Sequence, residues 1–331
     1  MKVKLSKFVP RVITGKTGVC YFAITHNCNA KCVTCSIHKI KNKPFLELSD
    51  IKKAIDKLDQ IGITYLQLTG GEPLLHPKIV DIVKYGNSKG IIVQVVSNGS
   101  LLNRTIIERL AKANLSGIAI SIDHFDQELF NKMRGIPNLF SRIEQGIKIL
   151  KEYNIDHQAS VTITRKNFQH LDKLCEMLTK LDFEAISFCY PITSTESSFQ
   201  IGSDSNTIRF SREEKLFIFN KIIELKKKFK IFNSIYSLKN IIKFLNNERV
   251  DYNCVSGYKI FYLDWNLTLF RCHTRDENFG NILELEDFKF KRRECNKCMI
   301  ECCRDPSIYF HGFRSIMPIT ELLLFNVKKS I

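Results

Sequence analysis

Alternation constrains this chain more than any single motif. From residue 19 to residue 190, short β-type runs alternate with helix-type runs at a spacing of about 30 residues. The strands are "VCYFAIT" (19–25), "ITYLQLT" (63–69), "IIVQVVS" (91–97), "LSGIAISID" (115–123), "DHQASVTIT" (156–164) and "FEAISFCY" (183–190). Between the first two, "LSDIKKAIDKLDQIG" has helical periodicity, with Ser49 as N-cap and Gly62 as stop. Helical stretches also precede the later strands, around 139–153 and 168–181 among them. Six such units predict an α/β fold with a parallel sheet, either curling toward a barrel or open and doubly wound. Several strands are near-continuously apolar, as expected when both faces are covered. In either architecture, functional residues belong on the loops at the carboxyl ends of the strands.

The residues after each strand obey that rule. Strand 1 runs into Cys28-x3-Cys32-x2-Cys35, strand 2 into "GGEP" (Gly70–Pro73), strand 3 into "SNG" (Ser97–Gly99), and strand 4 ends on Ser121 and Asp123. Three thiols in eight residues fit a disulfide framework, a zinc knuckle or an unfinished iron–sulfur ligand set. Twelve cysteines in 331 residues are too sparse for a disulfide scaffold, and no secretory signal precedes them, so the expected compartment is the cytoplasm. Clustered thiols in a reducing compartment point to metal. Structural zinc takes a fourth protein ligand, and His26 and His38 flank the loop, so zinc stays open at this point. Paired glycines let backbone approach a ligand closely, and Glu72 offers a carboxylate to an ammonium group. The scattered Cys20, Cys175 and Cys189 read as small buried hydrophobes.

Taken together, Cx3Cx2C, GGEP, "SNG" and "SID" on successive strand ends resemble the radical S-adenosylmethionine (radical SAM) superfamily over roughly residues 18–195. The resemblance implies a partial (βα)6 TIM-like barrel with a [4Fe–4S] cluster on Cys28, Cys32 and Cys35. It implies that S-adenosylmethionine binds the open iron and is cleaved reductively, giving a 5′-deoxyadenosyl radical that takes a hydrogen atom from substrate. Gly70, Gly71, Glu72 and Pro73 inherit the methionyl ammonium site, and Asn98, Ser121 and Asp123 the surroundings of the ribose and methionine. Two positions depart from the family pattern. Thr34 stands where an aromatic residue usually precedes the third cysteine, and His124 follows Asp123 where glycine is common.

Beyond residue 193 the pattern changes. A serine-rich loop (194–207) leads to a helix opened by a capping box, Ser211 with Glu214, then to a helix about 237–248. Cys254 and Cys272 follow, separated by a hairpin with Asp264–Leu267 at its tip, and then Cys295, Cys298, Cys302 and Cys303. This group resembles the SPASM and twitch extensions, which implies a small C-terminal module with one auxiliary [4Fe–4S] cluster. Cys254, Cys272, Cys295 and Cys298 match best, with Cys302 or Cys303 as substitutes. In extended backbone the last two would point apart. The expected organisation is a segment 1–18, the barrel 19–195, a linker 196–250, the module 251–310 and a tail 311–331, in which "ITELLLFNV" docks as a terminal helix.

The net charge of +16 is spread singly along solvated helix faces, apart from "KKKFK" and "FKRR". It allows an acidic partner but specifies none. No apolar run approaches the roughly 20 residues of a membrane span. The expected substrate is a peptide or protein side chain. The alternatives are a small molecule, lipid or RNA, or, in another class, a non-catalytic zinc-binding interaction module. A reducing partner such as flavodoxin or ferredoxin is implied by the family chemistry.

Overall fold

Strand β1 (Gly18–Thr25) is buried along most of its length because it has a neighbour on each edge. In the computed structural model, which describes residues 11, 15–41, 44–190, 206–274, 277–286 and 289–327, β1 pairs in parallel with β2 (Ile63–Gly70). β3 (Ile92–Ser97), β4 (Gly117–Ser121), β5 (Asp156–Thr162) and β6 (Ala185–Cys189) follow in sequence order, all parallel. The six expected strands are therefore present and consecutive in space. Helices α1 (Leu48–Gln60), α2 (Ile79–Ser88), α3 (Arg104–Lys112), α4 (Gln127–Arg134), α5 (Leu139–Glu152) and α6 (Leu171–Lys180) intervene. Their buried stripes, such as Ile51, Ile55 and Leu58 on α1, join the apolar side of the strands in one core.

Two local expectations change. Helix α1 begins one residue before Ser49, with Glu47 at the N-cap position and no side-chain cap, while Gly62 ends the turn at φ +87° as anticipated. Helix α4 was not foreseen. Asp126 caps it by accepting from Leu129 N at 2.8 Å, and Gly135 closes it at φ +65°, so Arg134 is its last residue.

Strands β2, β5 and β6 are apolar on one face only, while β1, β3 and β4 also present Val19, Val96 and Ala119 to the inner face. Facing away from the helices, Tyr65, Gln67, Gln158, Ser160, Thr162 and Ser187 line an internal cavity. The near-continuous apolar character expected of several strands holds for β1, β3 and β4 and not for β2, β5 and β6. A sheet that curls without closing leaves room inside, and polar side chains there must find partners. Gln94 Oε1 accepts from both Tyr65 Oη and Gln67 Nε2.

After the barrel, α7 (Arg212–Leu225) carries the expected capping box, with both reciprocal bonds formed between Ser211 and Glu214. Helix α8 (Ile235–Leu245) then leads to β7 (Ile260–Leu263), which pairs in parallel with the free edge of β1. β8 (Thr268–Phe270) and β9 (Asn278–Asn281) extend the sheet antiparallel to nine strands. The β7–β8 turn spans Asp264–Leu267 as expected, with Asp264 accepting from Asn266 N and Thr268 N. Helix α9 (Glu301–Ser307) stands over the cavity, and α10 (Ile316–Val327) docks through Glu321, which accepts from Ser234 Oγ at 2.6 Å. Most of the serine-rich loop and of the first 18 residues lies outside the described residues. No helix among the described residues is long and apolar enough to cross a membrane.

Candidate active site

The concave face of the sheet encloses about 480 Å³. Cys28, Cys32 and Cys35 border it on one side; Glu301, Cys302 and Asp305 of α9 border it on the other. All three cysteines of the first loop therefore reach one space, and each sulfur accepts from a fixed donor. Ala30 N lies 3.4 Å from Cys28 Sγ, Ile37 N 3.5 Å from Cys35 Sγ, and Arg134 Nη1 3.7 Å from Cys32 Sγ. As free thiols, Cys28 and Cys35 are pushed up by burial to about 12 and about 11. A soft metal that displaces those protons recovers the cost. The flanking His26 bonds Lys41 O at 3.0 Å through Nε2 and does not line the cavity, whereas His38 does.

Paired glycines bring the ends of β1 and β2 together. A Cβ on Gly70 would lie 2.0 Å from Thr25 O, and one on Gly71 would lie 2.1 Å from Asn27 O. Gly71 N donates to Thr25 O at 2.7 Å, and both glycines border the cavity. Glu72 and Pro73 do not. The Glu72 carboxylate is fully buried and accepts from Leu74 N (3.0 Å), Ser97 Oγ (2.9 Å) and Asn98 N (2.7 Å). Glu72 thus ties the loops after β2 and β3 together, which differs from the expected carboxylate offered to an ammonium group. Burial pushes Glu72 up to about 7 against those three donors. A folded-state pKa above the ordinary 4.5 means that the folded chain binds more protons between the two values, so stability falls as pH rises through this window. Relative to Glu72→Gln, the wild type should lose roughly 2–3 kcal/mol of unfolding free energy between pH 5 and pH 8. Denaturant titrations of both proteins at the two pH values check this.

Asn98 and Ser121 line the cavity, and Asn98 Nδ2 donates to Asn29 Oδ1 at 2.8 Å. Asp123 stands behind the wall. It accepts from Thr162 N at 2.8 Å and pairs with Arg134 at 2.5 Å, so its link to the cavity is indirect, through the guanidinium beside Cys32. His124 bonds Lys166 O and Asp126 N and stacks on Phe125, which makes it a loop histidine. Thr34 borders the cavity where an aromatic residue was the family's norm.

Cys20 and Cys175 are fully buried, but Cys189 opens on the cavity, 3.2 Å from Ser160 Oγ. In the C-terminal module, Cys254 and Cys295 face each other across a two-bond antiparallel bridge. Cys302 and Cys303 lie in the first turn of α9, so the extended backbone expected for them is absent. His273 was not foreseen. It lines the cavity with Nε2 at 2.8 Å from Cys302 Sγ, and burial pushes it down to about 4. Its adjacency to Cys272 was the available signal. Arg134 had none beyond the glycine that ends its helix.

Residues 22–178 match the Radical SAM superfamily. This stretch is a radical SAM domain. Among relatives, the AdoMet-dependent heme synthase of Methanosarcina barkeri is 33% identical over 160 residues, covering 48% of this chain and 46% of that one. The subtilosin biosynthesis protein AlbA of Bacillus subtilis is 27% identical over 169 residues, covering 50% and 38%. The chain thus spans about half the length, or less, of these curated relatives. Among solved structures, Streptococcus suis SuiB bound to S-adenosylmethionine superposes with a TM-score of 0.65 at 13% identity, over 87% of this chain and 70% of that one. The protein anSMEcpe with bound AdoMet gives 0.61 at 15% identity, over 95% and 100%. A radical SAM domain is an enzyme domain whose cofactors are a [4Fe–4S] cluster and S-adenosylmethionine, and the donor set fits both. Three thiols lining one cavity suit a soft metal, and the Gly70–Gly71 backbone borders that same cavity.

Proposed function

We propose that this chain is a radical SAM enzyme acting on a peptide or protein side chain. The observation that carries the reading is that the Cys28–Cys32–Cys35 loop and the Gly70–Gly71 backbone border one cavity within the radical SAM domain. Cys28, Cys32 and Cys35 would hold a [4Fe–4S] cluster, and Gly70, Gly71, Asn98 and Ser121 would line the S-adenosylmethionine site. When bound, these cofactors supply a 5′-deoxyadenosyl radical for hydrogen abstraction. The chain's own residues do the rest. Arg134, fixed by Asp123, sets a positive charge beside Cys32. The polar inner faces of β2, β5 and β6 position substrate, and the curved sheet excludes water.

The peptide reading draws on relatives named for peptide products, AlbA and the PqqA peptide cyclase of Bradyrhizobium diazoefficiens, and on neighbours solved with the precursor peptide SuiA or a Cys-containing peptide. A small-molecule substrate is the second reading, favoured by the 33% identity to a heme synthase. We place the catalytic barrel at 19–195, a linker at 196–250 and an auxiliary Fe–S module at 251–310. The enzyme works in the cytoplasm with a flavodoxin- or ferredoxin-type donor. Anaerobically reconstituted protein should be brown, hold about eight irons per chain, and form 5′-deoxyadenosine from S-adenosylmethionine on reduction. Colourless protein that binds zinc tightly and forms no 5′-deoxyadenosine would overturn the reading in favour of an interaction module.

A further inference from the structure

We propose that Glu301 and Asp305 set the substrate specificity of the cavity by binding a cationic side chain, ammonium or guanidinium, on the wall opposite the cysteine loop. The proposal rests on the reading of the chain as a radical SAM enzyme acting on peptide side chains, and it names the class of side chain.

The charges of the cavity are segregated. Among the described residues that line it, Arg134 is the one lysine or arginine, and Glu301 and Asp305 are the two carboxylates. Arg134 stands beside Cys32 and is already paired with Asp123. The carboxylates stand on the opposite border, four residues apart on α9, and so share one face of that helix. A chain with 50 lysines and arginines against 34 acidic residues thus gives this wall two carboxylates and no basic side chain. The basic residues of the region are committed elsewhere. Arg304 donates to Cys298 O and Asn296 Oδ1, and Lys226 pairs with Glu321 at 3.0 Å.

Neutral donors hold both carboxylates in place. Glu301 Oε2 accepts from Tyr190 N at 3.0 Å, and Asp305 accepts from Asn233 Nδ2 at 3.3 Å and from Ser237 Oγ. An amide oxygen would accept each of these bonds equally well. What the carboxylates add is negative charge inside an enclosed cavity, which is costly until a cation pairs with it. The inner face of β5 adds a further acceptor. Gln158 lines the cavity, and its Oε1 is buried with no hydrogen-bond partner among the described residues. Such a group calls for a donor from the ligand. Val19, Val96 and Ala119 on the same inner surface suit the methylene stem of a lysine or arginine side chain. A cation anchored on α9 would hold those methylenes across the cavity from Cys28, Cys32 and Cys35.

Isothermal titration calorimetry on the anaerobically reconstituted, unreduced enzyme with S-adenosylmethionine tests this. The probes are acetyl-Gly-Xaa-Gly-amide peptides, whose only charge is on the Xaa side chain. With lysine or arginine at Xaa, the wild type should bind at least about 10-fold more tightly than with norleucine or glutamate. Glu301→Gln/Asp305→Asn keeps the acceptor oxygens and should abolish that preference, with far-UV circular dichroism confirming its fold. Each single variant should lose part of it. Preference for only one of the two cations supports the proposal and identifies the cation. A wild type that binds the lysine and arginine peptides no better than the norleucine peptide, or binds none of them, overturns the proposal without recourse to any variant. A preference unchanged in the double variant overturns the assignment to Glu301 and Asp305. In both cases 5′-deoxyadenosine formation leaves the enzyme reading standing, whereas its absence from the reconstituted wild type overturns that reading itself.

Discussion

Reconstituted Cys32→Ala protein should form no detectable 5′-deoxyadenosine under conditions in which the wild type turns over, a loss greater than about 100-fold. Changing a residue that merely orients a metal ligand costs 10–100-fold, and removing a ligand costs more. Cys32 is the most exacting of the three positions because it is joined to the rest of the site by charge. Its sulfur accepts from Arg134, whose guanidinium also pairs with Asp123 at 2.5 Å, and Asp123 in turn accepts from Thr162 N. Removing the sulfur leaves a buried cation with one partner fewer. Product analysis by liquid chromatography after reduction gives the first readout. Iron content gives the second, since the C-terminal module should keep its metal. A Cys32→Ala protein that still cleaves S-adenosylmethionine would remove this loop from the chemistry.

A single methyl at Gly71, in Gly71→Ala, should be severely damaging. The added carbon would lie 2.1 Å from Asn27 O, 2.5 Å from Asn27 C and 2.6 Å from His26 O. All three are backbone atoms, so no side chain can swing aside, and the rim joining β1 to β2 must open. Overpacking of this kind costs ~3 kcal/mol or more. The same shift would displace Cys28, one residue further on, so S-adenosylmethionine binding measured by equilibrium dialysis should fall along with the melting temperature. Gly280→Ala is the control. Its Cβ meets nothing within 4 Å, and its φ of +89° makes the change a matter of backbone strain alone, near 1 kcal/mol. Equal losses in the two variants would show that the close approach at Gly71 does not matter.

Strand positions and the functional rim were legible in the sequence because they follow from periodicity and from the rule that loops at strand ends carry function, whereas the consecutive strand order came from the fold. The Cys28–Cys35 loop and the glycine pair could be read for the same reason. Glu72 was read as facing a ligand because sequence shows a carboxylate's presence and not its partners; only the fold brings Ser97 and Asn98 onto it. Arg134 and Asp123 illustrate the same limit, since their ion pair joins the last residue of α4 to the segment that follows β4. The polar lining of the cavity was available in principle. Gln158, Ser160 and Thr162 recur at a period of two in β5, yet the apolar residues between them dominate the impression of the strand. In the module, adjacency in sequence made Cys302 and Cys303 look divergent, whereas both fall in the first turn of α9.

The pairing of β1 with β7 also bears on how the chain is made. Val19 meets Ile260, 241 residues later, so the second edge of the first strand stays uncovered while most of the protein is synthesised. At ribosomal rates that interval is on the order of 10–50 s. During it a parallel barrel with an apolar, unpaired edge at β1 invites mispairing with other nascent chains. The strand that begins the barrel is the last to be enclosed.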